Sequence, residues 1–222
     1  YWTWHTDGQV KRDSVKNVTE TLREHPEAAF DFDHPAWGKQ GTCFWEEPLL
    51  GYYKTTDPWV LRKHAEWLAD AGVDAVFFDC TNGSQTWIES YEALLKTWDE
   101  ARKDGVNVPK VAFMLPFGPV PHSLVSLRQL YNDLYKHGRY ENLWFEWRGK
   151  PCIMAYPDNL TDSPEDRAIR DFFTFRATQS GYYTDGPSRT EEWGWLQVYP
   201  QHGFGLKPDG TYEEVPVGIA QN

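Results

Sequence analysis

The sequence lacks any run approaching the ~18 consecutive apolar residues that a membrane-spanning helix requires, and its first residues do not follow the basic, apolar, small-residue order of a secretion signal. A chain that folds in water without membrane insertion is expected. Positive charge is also scarce: 22 Lys and Arg stand against 33 Asp and Glu, for a net charge of -11. Such a surface repels phosphate backbones unless it carries a basic patch, and none is evident, so nucleic acid is not an expected partner. The three cysteines, Cys43, Cys80 and Cys152, are odd in number and have no paired spacing, which excludes a disulfide framework or a cysteine zinc site and leaves buried thiols.

Several catalytic signatures are missing too. No G-x-G-x-x-G turn or Walker-type lysine loop occurs, so the phosphate cradle of a nucleotide-binding sheet is not expected. No G-x-S-x-G elbow and no activated-cysteine signature is present. Neither H-x-x-x-H nor H-E-x-x-H occurs; His5, His34 and His202 could converge in space but do not have ligand spacing. No cofactor and no required metal are expected.

Aromatic side chains are what the chain has in excess: 16% of residues, with 12 Trp, 12 Tyr and 12 Phe. Part of this set fills the core. Indole faces also stack on the C–H faces of sugar rings, and Trp4, Trp37 and Trp45 fall in or beside segments that read as loops.

Along the chain, helix-like and strand-like patterns alternate. Tyr1–Trp4 reads as a strand, and Val15, Val18 and Leu22 recur at helical spacing. Residues 30–56 form a long loop rich in Asp, His, Pro, Gly and aromatics. Asp57-Pro58 caps a helix closed by Gly72, followed by the strand Ala75–Phe78. The cycle repeats with a helix through Ile88, Tyr91, Leu95 and Trp98 and the strand Val111–Leu115, then with a helix from Leu124 to Leu134 and the strand Cys152–Tyr156. A short helix opened by Ser163-Pro164 precedes further strands at Phe172–Arg176, Leu196–Tyr199 and Val215–Ala220. This order predicts an α/β fold, a (β/α)8 TIM-type barrel with about seven of its eight strands. The expectation is one catalytic domain over residues 1–222, continuing beyond both ends.

In such a barrel the chemistry lies at the C-terminal ends of the strands. The residues there include His5, Asp79, Asn82, Arg176, Tyr199, Gln201 and His202. Asp79 directly follows Val76-Phe77-Phe78, which makes it the first catalytic candidate; the structural alternative is that it only bonds amides of the Thr81-Asn82-Gly83 turn. Glu46 and Glu47 lie in the aromatic loop and are candidate partners, with solvent exposure the alternative. Arg176 ends an apolar strand, where a cation is costly unless it meets a carboxylate or an anionic substrate group. His202 suits contact with sugar hydroxyls or the satisfaction of its own loop. Glu191 and Glu192 read as loop charge ahead of a strand.

Two runs carry a resemblance. Leu61–Asp79, a helix followed by Ala71-Gly72-Val73-Asp74 and a strand ending in Asp, and Trp147–Met154, with Gly149-Lys150-Pro151 before an apolar strand, resemble segments of glycoside hydrolase families 71 and 99. The resemblance implies a (β/α)8 barrel acting on α-linked glycans and, for family 99, an E-x-x-E pair near the last strands. Neither Glu46-Glu47 nor Glu213-Glu214 matches that pair, so no catalytic residue is carried over. The leading expectation is a glycosidase acting on an oligo- or polysaccharide, in an extracellular or periplasmic setting that follows from that substrate class. The alternatives are a non-catalytic carbohydrate-binding barrel and, behind it, a glycosyltransferase.

Overall fold

A computed structural model describes Tyr1 and residues 16–31, 33–38, 43–44, 47–178, 186–195, 197 and 200–217. Its frame consists of helices α2 (Pro58–Asp70), α3 (Ile88–Lys103), α4 (Pro121–Asp133) and α5 (Pro164–Phe172) alternating with strands β3 (Ala75–Asp79), β4 (Lys110–Met114), β6 (Lys150–Met154) and β7 (Thr174–Phe175). Strands β3, β4, β6 and β7 pair in parallel, with Asp79 opposite Met114, Met114 opposite Met154, and Ile153 opposite Phe175. Each parallel crossover needs a helix, which is why the two periodicities alternate in the sequence.

The sheet extends at both sides. Tyr1 lies along the free edge of β3, donating its N–H to Phe77 O at 2.8 Å and accepting from Asp79 N at 3.0 Å. Beyond β7 the chain runs through Arg176, whose backbone bonds Ile153 O and Ala155 N, into β8 (Ala177–Thr178), which pairs in parallel with β9 (Glu192–Trp193). One extended segment therefore joins β6 on one side to β9 on the other. Among the described residues the strands form one largely parallel five-stranded sheet and two two-stranded pairs, β1-β2 and β8-β9, and no closed barrel.

Local chemistry sets the element boundaries. Asp57 caps α2 by accepting from Trp59 N at 2.9 Å and Val60 N at 3.1 Å, with Pro58 at the first helical position. Ser163 caps α5 in the same way. A short hairpin strand β5 (Glu146–Trp147) runs antiparallel to β6 through Arg148 and Gly149, both at positive φ (54° and 77°), as the twist of a two-residue hairpin demands. The turn thus sits one residue earlier than Gly149-Lys150-Pro151, and Lys150 and Pro151 are already strand.

Ahead of this frame, α1 (Val18–Glu24) is capped by Asn17, and β1 (Lys16–Asn17) pairs with β2 (Cys43–Phe44). A 3-10 turn at Pro26–Phe30 leads into the expected long loop of residues 30–56, which contains another at Pro35–Trp37. The expected strand Val215–Ala220 is not one over its described part: Glu214 bridges antiparallel to Phe204, and residues 215–217 are unpaired. Trp2–Trp4, Leu196, Val198 and Tyr199 lie outside the described residues.

Alternation along the strands divides the core into two layers. Val76, Phe78, Val111, Phe113 and Ile153 face the helices, meeting Leu94, Leu95, Trp98, Leu127, Leu130 and Ile169. Phe77, Met114, Cys152 and Met154 face the other way, toward Trp193, Phe204, Phe145, Trp147 and Trp195. Each large side chain buried this way contributes about 1.5–3 kcal/mol. The inner layer is built mainly from aromatics and methionine, which absorbs part of the aromatic excess.

Candidate functional site

The loops that follow the C-terminal ends of the strands form the candidate site. Asp79 shares the inward register of Phe77 and is 5% exposed. Its Oδ1 accepts from Thr81 N at 3.0 Å and from Thr81 Oγ1 at 2.7 Å, which holds the carboxylate in one orientation. The pairing register places Asp79, Met114, Met154 and Arg176 in one row across the sheet.

Around Asp79 the strand ends supply aromatic surface. Phe117, just past β4, packs on the inner layer and meets Trp195, just past β9, with ring centroids 5.2 Å apart. Tyr156, past β6, donates its hydroxyl to Thr178 O and lies under the Arg189 guanidinium at 5.4 Å, while Arg189 pairs with Asp158 at 2.8 Å. Gln197 is buried and clasps His202: its Oε1 accepts from His202 N at 2.9 Å and its Nε2 lies 3.1 Å from His202 Nδ1. Gly186 lets its chain pass over the imidazole, since a Cβ there would lie 3.0 Å from the ring.

The remaining sequence candidates separate. Asn82 and Gln201 are exposed at this end. Trp37 donates its indole N–H to the carbonyls of Ala28 and Asp31, both at 3.1 Å, and so clips together the two 3-10 turns. Glu47 is exposed beside Gly51. Trp4, His5, Trp45, Glu46 and Tyr199 lie outside the described residues.

Arg176 is buried, and its counter-charge is Glu213: Nε to Oε2 at 2.7 Å and Nη2 to Oε1 at 2.9 Å. The same carboxylate takes Arg148 at 2.6 Å and the Trp193 indole N–H at 3.0 Å, and the Arg176 guanidinium lies 5.6 Å from the Trp193 ring centre. Burial works to raise the pKa of Glu213, but the hydrogen bonds from Arg176 and Trp193 outweigh it and hold the group at about 2. Arg148 belongs to the turn leading into β6 and Arg176 to the segment after β7, so Glu213 ties the start of one strand to the end of its neighbour.

Glu214, the next residue, is opposite in character. Burial raises its pKa to about 7, against the hydrogen bond from Gly194 N at 2.9 Å. In the sequence these two glutamates read only as residues before a strand; the available signal was their adjacency in extended chain, which sends them to opposite faces. Burial also pushes the thiols of Cys80 and Cys152 up, the latter to about 12, so neither is a nucleophile at neutral pH.

The chain matches no protein-family model and no curated protein. Among solved structures it is similar to the GH99 endo-alpha-mannosidase of Bacteroides thetaiotaomicron in complex with BIS-TRIS-propane, at 23% identity over 60% of this chain and 43% of that chain, with a TM-score of 0.42. A second structure of the endo-alpha-mannosidase from this organism is similar at 18% identity over 75% of this chain and 62% of that one, also with a TM-score of 0.42. The chain thus spans less than two thirds of the length of either.

Proposed function

We propose that the chain is part of a glycoside hydrolase that binds an oligo- or polysaccharide at the C-terminal end of its parallel sheet. The observation that carries this reading is Asp79, a buried carboxylate fixed by Thr81 on the inward register, at the end of the sheet where Phe117 and Trp195 bring their rings together. Aromatic faces hold sugar rings, and a positioned carboxyl either protonates the leaving oxygen or activates the attacking group; a second carboxyl must lie across the scissile bond. Asp79 is assigned as one of the two. Glu46, or its neighbour Glu47, in the aromatic loop is proposed as the other, and His202, oriented by Gln197, as a contact to sugar hydroxyls. An extracellular or periplasmic site of action follows from this substrate class; no helix among the described residues is long and apolar enough to cross a membrane.

The test is turnover of α- and β-linked oligosaccharides by the wild type, Asp79→Asn and Asp79→Ala, with bound sugar measured in parallel. Both variants should lose ~100-fold or more in turnover while sugar binding persists. Turnover within about three-fold of wild type in the folded Asn variant removes Asp79 from the catalytic pair. Binding without turnover in the wild type replaces hydrolysis with a carbohydrate-binding role.

A further inference from the structure

Outside the sheet, two imidazoles and a carboxylate meet in the segment between α1 and β2. Glu27 Oε1 lies 3.2 Å from His25 Nδ1 and 3.4 Å from His34 Nε2, and the candidate ligand atoms of the three residues all lie within 4.8 Å of one another. A charge-assisted hydrogen bond between imidazole and carboxylate would be shorter, about 2.7–2.9 Å. With metal–donor bonds of about 2.0–2.2 Å, the donors of a tetrahedral zinc ion sit ~3.3 Å apart, a spacing that both contacts to Glu27 match, although the His25 contact also serves as a hydrogen bond.

We infer that His25, Glu27 and His34 form a binding site for a first-row divalent cation such as Zn2+, with a fourth position left to water. Local backbone structure positions the three residues. His25 precedes the Pro26–Phe30 turn, Glu27 lies in its first turn, and His34 caps the Pro35–Trp37 turn. The Trp37 indole N–H, bonded to the carbonyls of Ala28 and Asp31, fastens one turn to the other and so holds His34 against Glu27. The field also favours a cation: residues 24–34 contain Glu24, Glu27, Asp31 and Asp33 and no Lys or Arg. One contact changes on binding. Ala36 N donates to His34 Nδ1 at 3.2 Å, so the neutral ring carries its proton on Nε2; an ion on Nε2 moves that proton to Nδ1 and replaces this long hydrogen bond. Loading the site joins both turns through one centre.

The experiment is calorimetric titration of the whole chain with Zn2+, and with Co2+ followed by visible absorption, in the wild type, His25→Ala, His34→Ala and Glu27→Gln. His25 and Glu27 are exposed, so their variants should keep the wild-type circular dichroism and melting temperature of the metal-free chain, while His34→Ala, which removes the acceptor of the Ala36 N–H, should keep the circular dichroism. One ion per chain is expected, with an intense four-coordinate Co2+ band, and each variant should weaken binding by at least ~10-fold. No heat of binding in the wild type, wild-type affinity in either histidine variant, or a thiolate charge-transfer band placing Co2+ on a cysteine would each overturn the site.

Discussion

Glu213 and Glu214 are neighbours whose surroundings drive their ionisation apart. Glu213 is the counter-charge of buried Arg176, and Glu213→Gln would leave that guanidinium without a full partner. The expected cost is about 3 kcal/mol in chemical denaturation, whereas the double variant Arg176→Met, Glu213→Leu should cost clearly less because no charge stays buried. Equal losses in both would show that the pair does not act through burial of charge. Glu214 gives a pH signature of defined sign. Its folded pKa of about 7 stands above the ordinary value of 4.5, so its contribution is complete below about 4.5 and is lost as pH rises through 7. The stability of the wild type should therefore decline from about pH 4.5 to about pH 7 and level off above that, by on the order of 2 kcal/mol, and Glu214→Gln should flatten that decline. Parallel profiles would remove Glu214 as its source. At this scale the sequence was half legible. The need of Arg176 for a counter-charge follows from its apolar strand, but the identity of that charge is a tertiary fact, 37 residues away.

At the scale of elements, the helices α2 to α5 were legible because each combines an apolar stripe with a recognisable start or stop. Asp57-Pro58 and Ser163-Pro164 open two of them, and Gly72, at φ 79°, closes α2. If the Asp57 carboxylate sets that start, Asp57→Ala should cost ~1 kcal/mol, measurable by urea denaturation; a change under ~0.3 kcal/mol would mean that Pro58 and packing suffice. What the sequence hid is short. Strand β5 has two residues, and its hairpin turns on Arg148, whose left-handed backbone a pattern of apolar residues does not announce. The run after Glu214 is apolar and reads as strand, yet its first paired residue answers to Phe204 in a local hairpin. Pattern reports which residues avoid water, not which backbone they will pair with.

For the whole molecule, the parallel α/β order was readable from alternating periods, but the packing of the Phe204–Glu214 hairpin beside the candidate site was not, because it depends on which loops meet. One end holds Asp79, Phe117, Trp195 and the Gln197–His202 clasp. Beside it the Glu213 carboxylate joins Arg176 to Arg148, and the hairpin through Phe204 and Glu214 packs so closely on the chain just after β9 that a Cβ on Gly194 would lie 2.5 Å from the Phe204 ring. If the Asp79 carboxylate does chemistry and the hairpin only packs, substitutions in the two should act on different observables. Gly194→Ala overpacks the hairpin and should lower stability by roughly 1–3 kcal/mol while the folded fraction keeps its turnover number. Asp79→Asn should keep the melting temperature, since the amide oxygen still accepts from Thr81, and lose turnover. Measuring melting temperature and turnover number for both variants on one cleaved substrate decides the matter. A stability loss at Asp79 matching that at Gly194, with turnover intact in both, would return Asp79 to the role of a turn-forming residue and move the search for the catalytic carboxyls elsewhere in the protein.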